Sequence, residues 1–202
     1  KKVAFIVMLA GPGLRGKELL ILQSDAITKA AGVPDEQRIA NKNMNAEMYH
    51  VILNSTDTVN LRSDLIRTMK ANLKENPSLT GGVSAEKTEM LVNQTVNLLV
   101  SPWIRYFINY DPFPMLKKVK CPTLALNGSK DLQVPPAENL ALIRKAFTES
   151  GNKKLTAIEL PGLNHLFQEC TTGSPAEYAK IDQTFSPKAL DEILKFIRQQ
   201  VN

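Results

Sequence analysis

The chain has 202 residues, of which 43% are hydrophobic and 22% are charged, and its formal net charge at pH 7 is +5. This length is sufficient for one substantial domain, or for a core with a large insertion. The longest apolar runs are far shorter than the roughly 20 residues that a membrane-spanning helix needs, and no basic stripe is interleaved with aromatic residues. We therefore predict no membrane insertion and no nucleic-acid binding.

The first predicted element is a strand over residues 3–10, with the sequence VAFIVMLA. Its apolar residues are continuous rather than alternating, which is typical of a parallel strand that is covered on both faces. The turn Gly11-Pro12-Gly13 ends it and should lie near any site at the carboxyl edge of the sheet. No signal peptide precedes the strand, and because the chain begins with Lys1 we expect the natural amino terminus to lie elsewhere.

Residues 14–115 show helical periodicity and no strand pattern. We predict one helix that ends at Gly32, a second that begins at Pro34 and a third that ends before Pro77. A fourth helix should begin after Ser84 as its N-cap, and Pro102 interrupts the pattern before the aromatic stretch that closes this region. This region is predicted to be an all-helical insertion.

Residues 116–202 return to a mixed pattern. The sequence predicts a strand in VKCPTLALNG, a helix in PPAENLALIRKAFTESG, a strand in KKLTAIELPG, and a closing helix that begins after Ser186. Strand, helix, strand and helix in succession imply parallel strands that are joined by crossovers. Together with residues 1–13, this region is predicted to form an α/β core of about three parallel strands with flanking helices.

Two candidate functional residues follow the strands of this core. Asp131 stands in LNGSKDLQVPP and His165 stands in ELPGLNHLF, each just after a strand. Because the carboxyl ends of parallel strands share one edge of the sheet, we expect the two side chains to meet. A carboxylate that holds one imidazole nitrogen leaves the other nitrogen free to take a proton from a nucleophile.

The two loops resemble those of the α/β-hydrolase superfamily. Gly128 to Pro135 is similar to the G-x-x-D-x-x-V-P turn that carries the acid of the catalytic triad, and Pro161 to His165 is similar to the loop that carries its histidine. The stretches SPWIRYFINYDPFP and CPTLALNGSKDLQVPP resemble those of the bacterial serine esterases and peptidase-like hydrolases. The resemblance implies that residues 1–13 and 116–202 are the carboxyl-terminal part of a hydrolase core, and that residues 14–115 are its helical cap.

The sequence departs from this superfamily at the nucleophile. None of its serines stands in G-x-S-x-G, the strained turn that exposes the nucleophile. The resemblance therefore implies a parent enzyme that cleaves small acyl esters without a metal or organic cofactor, of which this chain supplies Asp131 and His165 only. A peptidase or amidase, an enzyme with an aspartate nucleophile, and a non-catalytic folded module remain alternatives. Two compartments remain alternatives: the bacterial cytoplasm, or the periplasm or exterior after removal of an upstream signal.

The remaining candidates have weaker support. Trp103 and Tyr106 could line a substrate pocket if the helical region covers the site, although packing within that region explains them as well. His50 lies in a helical pattern without an acidic or metal-binding partner, and we interpret it as an ordinary helix residue. Cys121 and Cys170 should be too far apart for a disulfide. The strand at 3–10 lacks a neighbour on one side, so we expect self-association or pairing with a missing amino-terminal half.

Overall fold

The computed structural model describes residues 3–55 and 58–201, so the predicted domain bounds at residues 1 and 202 lie outside the described residues. The chain divides into two compact units. The first consists of Lys1–Arg15 and Asp111–Asn202, and the second of Gly16–Tyr110. The first is mixed α/β and the second is helical.

The α/β unit contains a sheet of three parallel strands in the order β1 (Ile6–Leu9), β2 (Thr123–Gly128) and β3 (Leu155–Leu160). All six residues of β2 are buried, as expected for a central strand with a nearly continuous apolar sequence. The prediction of a mixed α/β fold with about three parallel strands is therefore confirmed. The relation to a hydrolase stays a prediction.

The strand β1 is shorter than the predicted span 3–10. Only Ile6 to Leu9 pair with β2, in the register Ile6 to Thr123 through Leu9 to Leu126. The strand ends there because Ala10 has φ of 49°, outside the extended region of the backbone. Within the described residues, no strand pairs with the other edge of β1, and self-association through that edge stays a prediction.

Three helices complete the α/β unit, namely α6 (Phe113–Leu116), α7 (Pro136–Glu149) and α8 (Pro187–Val201), together with a 3₁₀ segment, Pro175–Lys180. The helix α7 connects β2 to β3 and buries Leu140, Ile143 and Phe147 against the sheet. The helix α8 begins as predicted, since Ser186 Oγ accepts the backbone N–H of Lys188.

The helical unit contains α1 (Gly16–Ala30), α2 (Asp35–Asn54), α3 (Thr58–Glu75), α4 (Ala85–Leu99) and α5 (Pro102–Asn109), with a 3₁₀ turn at Pro77–Thr80. Ser84 is the predicted N-cap of α4, because its hydroxyl accepts the backbone N–H of Lys87. The unit has its own core, built from apolar residues at helical spacing on all five helices. Its most enclosed members are Met48, Leu61, Leu65, Val92, Val96 and Ile108. No helix of the described chain is long and apolar enough to cross a membrane.

Candidate active site

The turn after β2 fixes the position of Asp131. This carboxyl group is fully buried, and its Oδ1 accepts the backbone N–H groups of Gln133 at 2.9 Å and Val134 at 2.8 Å. An aspartate that bonds to the backbone two and three residues later stabilises a turn of this kind. The side chain therefore shapes the turn that leads into α7 and is itself held in one orientation.

Asn127 supports the same carboxylate from inside the sheet. Its Nδ2 donates to Val134 O at 2.9 Å and lies 3.4 Å from Asp131 Oδ2. Its own Oδ1 is buried and has no hydrogen-bond partner among the described residues. Asn127 was not among the predicted site residues, although an amide inside the otherwise apolar strand TLALNG was the available signal.

Residues 161–169, which follow β3, form the histidine loop. Its backbone is organised by Asn164, which is fully buried. Its Oδ1 accepts the backbone N–H groups of Leu166 and Gln168, both at 2.9 Å, and its Nδ2 donates to Gln168 Oε1 at 2.9 Å. An isolated bridge between Leu163 and Glu169 closes the loop. The backbone that follows His165 is thus held by the amide side chain of the residue before it.

The turn that carries Asp131, residues 128–135, is called the acid turn, and it is in direct contact with the histidine loop. A Cβ atom at Gly128 would collide with the carbonyl oxygens of Leu163 and Asn164, so this position admits glycine alone. The backbone N–H of Lys130 donates to Leu163 O at 3.0 Å, and Ser129 Oγ accepts the N–H of Gly162 at 2.9 Å. These contacts fix the distance between the two functional side chains.

The structure brings Asp131 and His165 together, with 3.0 Å between Asp131 Oδ2 and His165 Nδ1. An ionised carboxylate only accepts hydrogen bonds, so this contact requires the proton on Nδ1 and leaves the lone pair of the neutral ring on Nε2. The imidazole side chain is 28% exposed. Among the described residues, none forms a hydrogen bond to Nε2. The arrangement can take up a proton at Nε2 and stabilise the resulting imidazolium.

Residues 170–178, which follow the histidine loop, are hydrogen-bonded to the acid turn. Lys130 Nζ donates to the carbonyl oxygens of Cys170 at 3.1 Å and Thr171 at 2.7 Å. Gln133 Nε2 donates to the hydroxyl of Tyr178 at 2.9 Å. Burial raises the pKa of the Tyr178 phenol, so this group stays protonated at neutral pH. None of these contacts was predicted, because they join segments about 40 residues apart.

Trp103 and Tyr106 lie on α5 in the helical unit, and both are 65% exposed. Trp103 stacks on Phe107 with 5.2 Å between ring centroids, and Tyr106 stacks on Tyr110 at 5.7 Å. Each ring therefore has an aromatic neighbour in its own unit. A role for Trp103 and Tyr106 in substrate binding stays a prediction.

Neither Ser129 nor Cys170 has the properties of an activated nucleophile. The Ser129 hydroxyl is engaged with Gly162 in the acid turn. Cys170 is a free thiol whose pKa is raised by burial, which disfavours the reactive thiolate. Among the described residues, no group of three or more His, Cys, Asp or Glu side chains is arranged to hold a metal ion.

Comparisons with protein-family profiles, with curated proteins and with solved structures give no match.

Replacing Asn164 tests how strongly the histidine loop depends on that one amide. We expect Asn164→Ala to lower the free energy of unfolding by about 2 kcal/mol, because two backbone N–H groups lose their acceptor. Asn164→Asp, which keeps an acceptor oxygen, should cost less. Urea denaturation followed by circular dichroism measures both values. Equal losses for the two variants would contradict the role assigned to Oδ1.

Proposed function

We propose that this chain supplies the acid and the base of a serine hydrolase that cleaves small acyl esters. The observation that carries the proposal is the buried Asp131 carboxylate bonded to His165 Nδ1, with Nε2 free of partners among the described residues. The motif resemblance of both loops supports it independently of the contact. Peptidase or amidase activity uses the same pair and is the nearest alternative.

In the proposed reaction His165 acts twice. Its Nε2 takes the proton of a serine hydroxyl as that oxygen attacks the acyl carbon, and it then returns the proton to the departing alcohol. Asp131 remains ionised throughout, holds the ring in one tautomer and stabilises the imidazolium. The two backbone N–H groups that donate to Asp131 Oδ1 keep the carboxylate oriented toward His165.

The serine itself is not among the residues that we assign. Because the 202 residues contain no G-x-S-x-G motif, we expect the chain alone to show no saturable turnover of 4-nitrophenyl acetate. The absence of that motif also favours the non-catalytic module as a second candidate function. Saturable turnover that His165→Ala abolishes would show that the chain carries its own nucleophile.

The decisive experiment concerns the parent protein. The reading frame upstream of Lys1 should encode G-x-S-x-G, and the corresponding protein should react with a fluorophosphonate probe. His165→Ala should lower kcat by a factor of about 10⁴ or more. His50→Ala is the matched control, because His50 is the only other histidine and lies on the exposed surface of α2. An aspartate at the nucleophile position, no labelling, or equal effects of the two substitutions would refute the serine hydrolase.

A further inference from the structure

The closing helix α8 exposes a row of apolar side chains. Its buried side is formed by Ala189 and Phe196, and the Phe196 ring packs edge to face on Phe5 with 5.9 Å between ring centroids. A second set of apolar side chains, which we call the α8 stripe, lies about 100° further round the helix. The stripe consists of Leu190, Leu194, Ile197 and Val201. Three of the four are between 46% and 68% exposed, and a contiguous exposed apolar surface of this kind marks an interaction site.

The spacing of the α8 stripe favours a second helix as its partner. Its members are separated by four, three and four residues, which is the a/d spacing of a coiled-coil seam. The order four, three, four is the same in both directions along the helix. Two copies of α8 can therefore pack antiparallel around a twofold axis, with Leu190 opposite the partner's Val201 and Leu194 opposite the partner's Ile197.

The charged residues of α8 favour the antiparallel direction. Three of the five, Lys188, Glu192 and Lys195, form ion pairs within the chain. The other two, Asp191 and Arg198, are exposed and have no ion-pair partner among the described residues. They are seven residues apart and therefore lie on the same side of the stripe. In an antiparallel pair the same sides of the two stripes meet, so Asp191 of each copy faces the Arg198 of the other.

A parallel pair lacks this complementarity. A twofold axis along the helices would bring Asp191 and Arg198 against the other side of the partner's stripe. That side carries Ile193 and Gln200, which have no charge, and it leads to the buried face of the helix. The opposite charges thus match a second copy of this chain in one direction only.

We propose that the α8 stripe is the interface of a homodimer in which the α8 helices of two copies pack antiparallel. Removal of the stripe from water drives the association, and the two pairs of Asp191 with Arg198 fix its direction and register. The surface differs from the open edge of β1. Because α8 has 15 residues and a standard interface has about 20–30 residues a side, we expect a weak dimer that dissociates on dilution. The inference does not depend on the proposed hydrolase activity.

Sedimentation velocity of the full chain tests this dimer between about 5 µM and 500 µM, because the population of a weak dimer depends on concentration. We expect the average sedimentation coefficient to rise from the value of a monomer toward that of a dimer. Leu190→Gln combined with Leu194→Gln should raise the dissociation constant by a factor of about 100 or more, since four apolar side chains leave the seam. Both positions are exposed and glutamine is a good helix former, so circular dichroism should show an unchanged fold.

Reversal of the charges tests the direction of packing. Asp191→Arg and Arg198→Asp should each raise the dissociation constant about tenfold, because like charges then face each other twice in the dimer. The double variant restores opposite charges and should associate as tightly as the original chain. Lys195→Glu is the matched control and should have little effect, because it reverses an exposed charge of α8 that lies outside the seam.

Three results would overturn the proposal. A chain that stays monomeric at every concentration would leave the stripe to a different partner. A dimer that persists in the variant with both leucines replaced would use another surface, such as the open edge of β1. A double charge reversal that associates no better than the single reversals would exclude the antiparallel pair.

Discussion

Asp131→Ala is expected to lower the free energy of unfolding of the α/β unit by about 3 kcal/mol. The carboxylate accepts the backbone N–H groups of Gln133 and Val134 and is the partner of His165 Nδ1. The substitution leaves all three donors without an acceptor, and the Val134 residue is buried. Faster hydrogen exchange of the β2 amides measures the loss within this unit, because exchange reports the opening of individual segments.

Asp131→Asn is the informative control for this change. The amide oxygen can still accept from Gln133 and Val134, so the expected cost is about 1 kcal/mol. The amide nitrogen, however, would face His165 Nδ1, and two donors cannot bond to each other. We therefore expect the ring to change tautomer and carry its proton on Nε2, where it can no longer act as a base. The ¹⁵N shifts of the imidazole distinguish the tautomers, and an unchanged pattern would contradict the assigned hydrogen bond.

Gly128→Ala is expected to lower the free energy of unfolding by about 3 kcal/mol. This value is at the upper end of the range for overpacking, because the obstructing atoms are backbone oxygens. The new Cβ would meet the carbonyl groups of Leu163 and Asn164, which cannot rotate away as a side chain can. Relief of this clash requires the histidine loop to move away from β2. The same substitution should therefore lengthen the distance between His165 Nδ1 and Asp131 Oδ2, and both tautomers of the His165 ring should be populated.

Gly151→Ala provides the comparison for this effect. Gly151 follows α7 with φ of 69°, and no atom lies within 4 Å of a Cβ built there. The expected cost is about 1 kcal/mol, which reflects the left-handed backbone alone. If Gly128→Ala lowers the free energy of unfolding no more than Gly151→Ala does, the acid turn and the histidine loop are not in close contact. Urea denaturation of both variants under the same conditions gives the two values.

Local chemistry explains why the positions of the elements could be predicted. The continuous apolar run of β2, the N-cap residues Ser84 and Ser186, and the helix-ending Gly32 act through neighbours a few residues away, so the sequence contains the whole cause. The expected approach of Asp131 to His165 followed from the parallel order of β2 and β3, which places both turns at one edge of the sheet.

Several features of the site depend on contacts between distant segments, and for these the sequence alone was insufficient. The support of Asp131 by Asn127, the contact between Gly128 and the histidine loop, and the bond between Gln133 and Tyr178 arise only when the turns meet. The early end of β1 was also not predicted, because Ala10 adopts φ of 49° there although the partner strand β2 continues to Gly128.

The sequence by itself therefore determined the type and order of the strands and of the longer helices, and the two residues that carry the proposed chemistry. Only the tertiary structure decided how these residues are held, with Asp131 bonded to the backbone of its own turn and Asn164 bonded to the backbone that follows His165. The physical reason is the range of the interactions. Periodicity and capping act within a few residues, whereas burial and hydrogen-bond partnership depend on which segments meet after folding.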